Sequence, residues 1–139
     1  NINGAKLTNA NLTCVNLEEA NLNHSRLIGA DLTDAHLSCA HLVGADIFGA
    51  ELSGADLSGA DLSRSNLTEA NLYGADLSGT DLTDAKLLGA NLYGANLKGA
   101  NLNGSDLTDA VLHKAILTDA KFVETIMTRT TMPDGTIHD

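Results

Sequence analysis

The chain has 139 residues, 18 acidic against 8 basic side chains and a formal charge of −10; 43% of it is apolar and only 3% aromatic. Length suits one domain, the aliphatic content lies above that of disordered chains, two Cys cannot build a disulfide-dense scaffold, and no apolar run approaches the ~18 residues of a membrane span. The acidic excess argues against gripping a nucleic-acid backbone, which takes clustered Lys and Arg.

From the first residues the chain repeats with a period of five. Every fifth residue from Ile2 to Met127 is apolar, and Leu fills 22 of the 26 places; Ile2, Ile47, Phe122 and Met127 fill the others. Two residues earlier, Ala fills 19 of 25 places from Ala5 to Thr125, and no exception is larger than Val15. The position between the two columns is Asn or Asp in 16 of 26 repeats. Two residues after the Leu, Gly occurs 12 times, which accounts for every Gly but Gly135.

A period of five rules out both regular elements. On an α-helix it advances about 140° per repeat, so the Leu column would scatter around the cylinder. On a flat strand an odd period sends successive Leu to opposite faces. The chain must therefore turn once per repeat, always in the same sense, with Ala and Leu inward. The Gly phase supplies the turn, because a type II turn needs a positive φ at one position. Where Gly is absent, Asn and Asp tolerate the left-handed region better than most, but Glu, Cys, Lys, Arg and His lead to the expectation of a different turn type in those repeats. Ala rather than Leu at the first inward site points to a crowded interior.

Runs such as Ala55-Asp56-Leu57-Ser58-Gly59 and Ala60-Asp61-Leu62-Ser63 resemble the A(D/N)LXX consensus of the pentapeptide-repeat family, and the resemblance covers about residues 1–129. It implies an all-β fold, a right-handed quadrilateral β-helix with four repeats per coil and about six coils of 20 residues. Residues 20 apart should then stack. Tyr73 and Tyr93 stand at that lag, as do Ile28 and Phe48, with Leu88 two coils on. The domain expectation is a repeat unit over 1–129 and a C-terminal cap over 130–139. Phe122, Val123, Ile126 and Met127 enlarge the last repeats, and Met132-Pro133-Asp134-Gly135 reads as a turn. That ending resembles those of cyanobacterial members. The N-terminal end starts inside the repeat at Asn1, so upstream residues are expected to have been processed or left out.

Candidate chemistry comes next, in chain order. Cys14 and Cys39 lie one coil plus one face apart, beyond the roughly 7 Å Cα limit for a disulfide, so two free thiols are expected. His24, His36, Cys39 and His41 gather near one corner, but H-x-x-C-x-H matches no closed zinc signature, and they read as surface residues. Asp56 with Asp76, and Asp61 with Asp81, form stacked pairs, with Asp84 at the next corner. They read as consensus carboxylates bonding local backbone in water. The strict Gly spacing is neither a dinucleotide fingerprint nor a phosphate loop, and no nucleophile motif is present.

The departures from consensus lie outside. Ile28, Phe48 and Leu88, with Thr68 between, make an apolar stripe where Ser or Thr is usual, and such stripes mark partner contacts. Tyr73 and Tyr93, with His113 next in line, make a second column, and Tyr favours interfaces. These residues are the candidate partner surface. The expectation is a non-enzymatic protein-interaction scaffold without cofactor or metal. Its partner is another protein, with no direct nucleic-acid or membrane contact. It is expected to be a monomer or weak homodimer, and cytoplasmic unless a signal peptide has been removed, in which case exported or lumenal. The resemblance implies an alternative, since some family members act as acidic DNA mimics on a DNA topoisomerase such as gyrase.

Overall fold

The computed structural model describes residues 1–139. Each repeat closes a β-turn in which the N–H of the small inward residue donates to the carbonyl of the preceding large one, from Ala5 on Ile2 to Thr130 on Met127. The residue between them, here the bridge position, pairs in parallel with the residue 20 further on. The ladder runs without a break from Lys6↔Arg26 to Val111↔Thr131. A lag of 20 with a period of five means four turns per coil. The chain is thus a right-handed quadrilateral β-helix with no helix and no long strand.

Coils hold each other through short backbone bonds in both directions. Leu7 N–H donates to the Arg26 carbonyl at 2.8 Å, and Arg26 N–H donates back to Ala5 at 2.9 Å. Side chains reinforce the ladder at the bridge positions. Asn71 Nδ2 donates to Glu51 Oε2 at 2.8 Å and Asn91 Nδ2 to Asn71 Oδ1 at 3.0 Å, so stacked amides carry the bonding from coil to coil.

The core is a solid stack of Leu and Ala, 34 buried residues from Leu22 to Ala115. Each buried Leu contributes about 1.5–3 kcal/mol before ordering entropy is subtracted. Where the small inward residue is Ser or Thr, its hydroxyl usually finds a turn carbonyl: Ser65 Oγ donates to Leu62 at 2.6 Å, Ser105 Oγ to Leu102 at 2.7 Å and Thr80 Oγ1 to Leu57 at 2.9 Å. Ser25 Oγ is buried and has no such partner.

The turn expectation needs correcting. All 26 corners, the second residue after each large inward one, have positive φ; non-Gly residues take +53° to +60° and Gly +60° to +70°. There is one turn, not several. As far as Lys114 the corner N–H also reaches a carbonyl on the next coil or the tail, as Asn9 reaches Ile28 and Gly29 reaches Phe48, while Asp119, Glu124 and Arg129 keep the same φ with no such bond. A non-Gly residue accepts a left-handed penalty of roughly 1–2 kcal/mol and keeps the turn.

Gly has a second use at some corners. A Cβ on Gly29 would lie 2.5 Å from Asn9 Oδ1, and one on Gly44 would lie 2.8 Å from His24 Nδ1. Asp34 and Asp84 likewise lie across Gly54 and Gly104. A corner side chain leans over the corner of the following coil, and Gly makes room for it.

After Met127 the chain leaves the repeat. β1 (Thr130–Thr131) pairs antiparallel with β2 (Ile137–His138). The intervening turn packs on one side of the last coil, where Lys114 N–H donates to Pro133.

Candidate interaction surface

Ile28, Phe48, Thr68 and Leu88 stand on successive coils in one outward column, their backbones joined through Gly29 to Phe48, Gly49 to Thr68 and Glu69 to Leu88. Phe48 is 39% exposed, while Ile28 and Leu88 are half-buried. The next face carries the aromatic column. Tyr73 and Tyr93 stack with centroids 5.5 Å apart and planes 10° apart, and His113 continues the column 5.4 Å from Tyr93. The corner between the two columns is Gly at 29, 49 and 89 and Glu at 69, with Asn9 leaning over Gly29.

Two neighbours of the aromatic column are invisible in a one-dimensional reading. Lys114 Nζ folds over the Tyr93 ring, 5.4 Å from its centroid. The tail turn places Gly135 against His113, close enough that a Cβ would lie 3.3 Å from the imidazole, whose Nδ1 is buried without a partner. Position arithmetic puts residue 133 above 113, but only the folded tail shows which residue covers it. The last coil is more exposed than the middle coils. Ile116 is 51% exposed, Val123 64% and Ile126 50%. Their signal was available, because Ile116 and Ile126 stand where Asn or Asp is usual.

The carboxylates bond as expected of local turn formers. Asp56, Asp61 and Asp81 each accept the N–H and hydroxyl of the Ser or Thr two residues on through Oδ1, at 2.6–3.0 Å. Asp76 Oδ1 accepts from Ser78 N–H and Asn96 Nδ2. In Asp31 the same pair of bonds from Thr33 holds the carboxyl below the ordinary carboxylate range, the hydroxyl bond mattering most. The chain has one ion pair, Arg129 with Asp109 across successive corners; Arg129 donates Nε to Asp109 Oδ1 at 2.6 Å and holds that carboxyl below its ordinary value. His24, His36, Cys39 and His41 are all exposed, as is Cys14, and both thiols are free.

A filled tube with an outer surface of ladders defines the class: a β-solenoid whose available chemistry lies on its outside. The family model described as pentapeptide repeats matches in eight copies, over segments that together span residues 1–129. The chain belongs to the pentapeptide-repeat family.

Solved structures agree. HetL from the cyanobacterium Nostoc sp. strain PCC 7120, a pentapeptide-repeat protein involved in heterocyst differentiation regulation, is 38% identical with a TM-score of 0.62; the match covers 98% of this chain and 65% of HetL. A pentapeptide-repeat protein of the Arabidopsis thaliana thylakoid lumen is 37% identical with a TM-score of 0.64, over 65% of this chain and 63% of that one. Rfr23 from the cyanobacterium Cyanothece 51142 is 39% identical with a TM-score of 0.57, over 69% of this chain and 63% of its own. The chain thus spans less than two thirds of each of these relatives. No curated protein sequence matches it significantly. No helix is long and apolar enough to cross a membrane.

Proposed function

We propose that this protein is a non-enzymatic, rigid interaction scaffold that binds another protein through its outward columns. The observation that carries the reading is the Ile28–Phe48–Leu88 stripe, with Phe48 exposed on a face where Ser or Thr is usual. A stacked β-ladder supports it physically. Each coil is bonded to its neighbours along its faces, so the columns keep their spacing and binding needs little ordering of the backbone. The solid Leu–Ala interior leaves no cavity for a substrate, which favours a surface role.

The partner surface comprises Ile28, Phe48 and Leu88 with the adjoining Tyr73 and Tyr93, and the tail 130–139 serves as a cap. The molecule works as a monomer or weak homodimer. Two exposed, free thiols favour a reducing, cytoplasmic compartment.

The test compares the native chain with Phe48→Asp and Leu88→Asp as bait against a lysate of its source organism. The expected result is a discrete partner retained by the native chain and lost by both variants. Equal capture by all three would overturn the stripe reading.

A second reading has one observation of its own. Asp56, Asp61, Asp76 and Asp81 form a two-by-two array on adjoining faces, and none is ion-paired. An acidic array of this kind suits a protein that otherwise grips DNA, such as a topoisomerase. A gyrase supercoiling assay decides it: an effect at micromolar protein that Asp56→Asn with Asp76→Asn abolishes would support mimicry, and no effect would dismiss it.

A further inference from the structure

The aromatic column ends differently at its two ends. Toward the C-terminus, Tyr93 meets His113 and carries the Lys114 ammonium over its ring. Toward the N-terminus, Tyr73 is 53% exposed, and the residue one coil before it is Ser53, whose hydroxymethyl group is too small to cover a phenol ring. One face of Tyr73 is stacked on Tyr93 and the other has no aromatic or cationic neighbour.

The surroundings of that free face are of one sign. Glu51 stands on the bridge position beside Ser53, held by Asn71 Nδ2 through Oε2 at 2.8 Å. Asp34 lies across Gly54, the corner next to Ser53. Between residues 29 and 94, this face and its two corners carry Asp31, Asp34, Glu51 and Glu69 and no Lys or Arg. Access is open as well. The corner beside the column is Gly at 54, 74 and 94, and at 74 and 94 nothing lies within 4 Å of where a Cβ would be. Left-handed φ does not demand Gly there, since 14 other corners adopt it without Gly. A bare corner lets a partner's chain approach the ladder closely.

We propose that the free face of Tyr73, between Glu51 and Asp34, is a seat for an arginine or lysine side chain from a basic, extended segment of a partner protein. Charge complementarity selects this occupant. A cation over a tyrosine face gains from the ring quadrupole, and flanking carboxylates add charge-assisted bonds that a neutral group cannot make. The column already accepts a cation, because the chain's own Lys114 lies over the Tyr93 ring from the C-terminal side. The proposal rests on the reading of the outer columns as a partner surface and gives that surface a chemistry.

The composition provides a selective probe. The chain has two Tyr and no Trp, so its intrinsic fluorescence reports this column alone. The full chain is titrated with the peptide acetyl-Gly-Arg-Gly-Arg-Gly-Arg-Gly-amide and with its citrulline counterpart, which keeps the shape and removes the charge. A saturable change in tyrosine emission is expected with the arginine peptide and at least about tenfold weaker binding with citrulline. Tyr73→Leu, followed calorimetrically, should weaken the arginine peptide by about three- to fivefold, and Glu51→Gln by about two- to threefold. Both sites are outward, so circular dichroism should be unchanged. No emission change up to millimolar peptide, equal binding of citrulline, or unaltered affinity in Tyr73→Leu would each overturn the seat. Its failure is separable from that of the scaffold reading: a partner lost on Phe48→Asp with no peptide binding retires the cation seat alone.

Discussion

The middle coils and the first coil are written in the same repeat, yet they meet water differently. Leu67 is fully buried, whereas Leu7, three coils earlier in the same inward column, is only half-buried. The interior residues of the first coil, Leu7, Leu12, Val15 and Leu17, pack on the core from one side only. At the other end Leu117, Phe122 and Met127 do the same, and the tail turn lies on one side alone. A solenoid residue owes its burial to the coil above and the coil below, so stability is a sum over neighbours. Sequence identity between repeats therefore does not mean energetic equivalence.

Paired truncations sharpen that comparison most. Leu67→Ala should cost about 2–5 kcal/mol, read from urea denaturation, and Leu7→Ala less than half of that. Equal losses would mean that the first coil is as well packed as the middle.

Corners offer the next contrast. Gly54→Ala must move the Asp34 carboxyl and should destabilise by clearly more than Gly94→Ala, which meets nothing and should cost about 1 kcal/mol. Adding Asp34→Ala should bring Gly54→Ala down to the Gly94→Ala level. If the double variant gains nothing, the leaning side chain is not the reason for that Gly.

Ser25 breaks the pattern inside the core. Its buried hydroxyl lacks the carbonyl partner that Ser65 and Ser105 have. Ser25→Ala should therefore raise stability by about 1 kcal/mol, while Ser65→Ala should be near neutral. Thermal melts of the two variants separate these outcomes.

The smallest effect belongs to the exposed pair at the C-terminal end. The hydrogen bond from Arg129 lowers the Asp109 carboxyl. Its contribution is then fully present above the ordinary carboxylate range and is lost as pH falls through the lowered value. Acid unfolding of Asp109→Asn should match the native chain at low pH and fall slightly below it at neutral pH. Salt should erase the difference, since both partners are exposed.

Much of the architecture was legible in the residues. A five-residue period with two inward columns excludes helix and flat strand, and the lag-20 coincidence of Tyr73 with Tyr93 is borne out as a ring stack. The corner reading went wrong for a physical reason. Left-handed propensity is a local property, whereas the corner closes a turn that the repeat requires; all fourteen non-Gly corners adopt it, and eleven of them also bond their N–H to the next coil or the tail. The Lys114–Tyr93 contact and the Gly135–His113 contact were not legible, because both depend on where flexible or non-repeating segments come to rest.

What the sequence by itself determined is that the chain winds: two inward columns at a period of five exclude helix and flat strand and require one turn per repeat to keep Leu dry, while the stacking at 20 residues followed from the family resemblance and is seen in the parallel bridges. What the tertiary structure alone decided is the relief on the outside. Which Gly shelters a neighbour's side chain, which tyrosine face stays open and which carboxylates lie near it follow from side chains meeting between coils, a distance along the axis that periodicity does not encode.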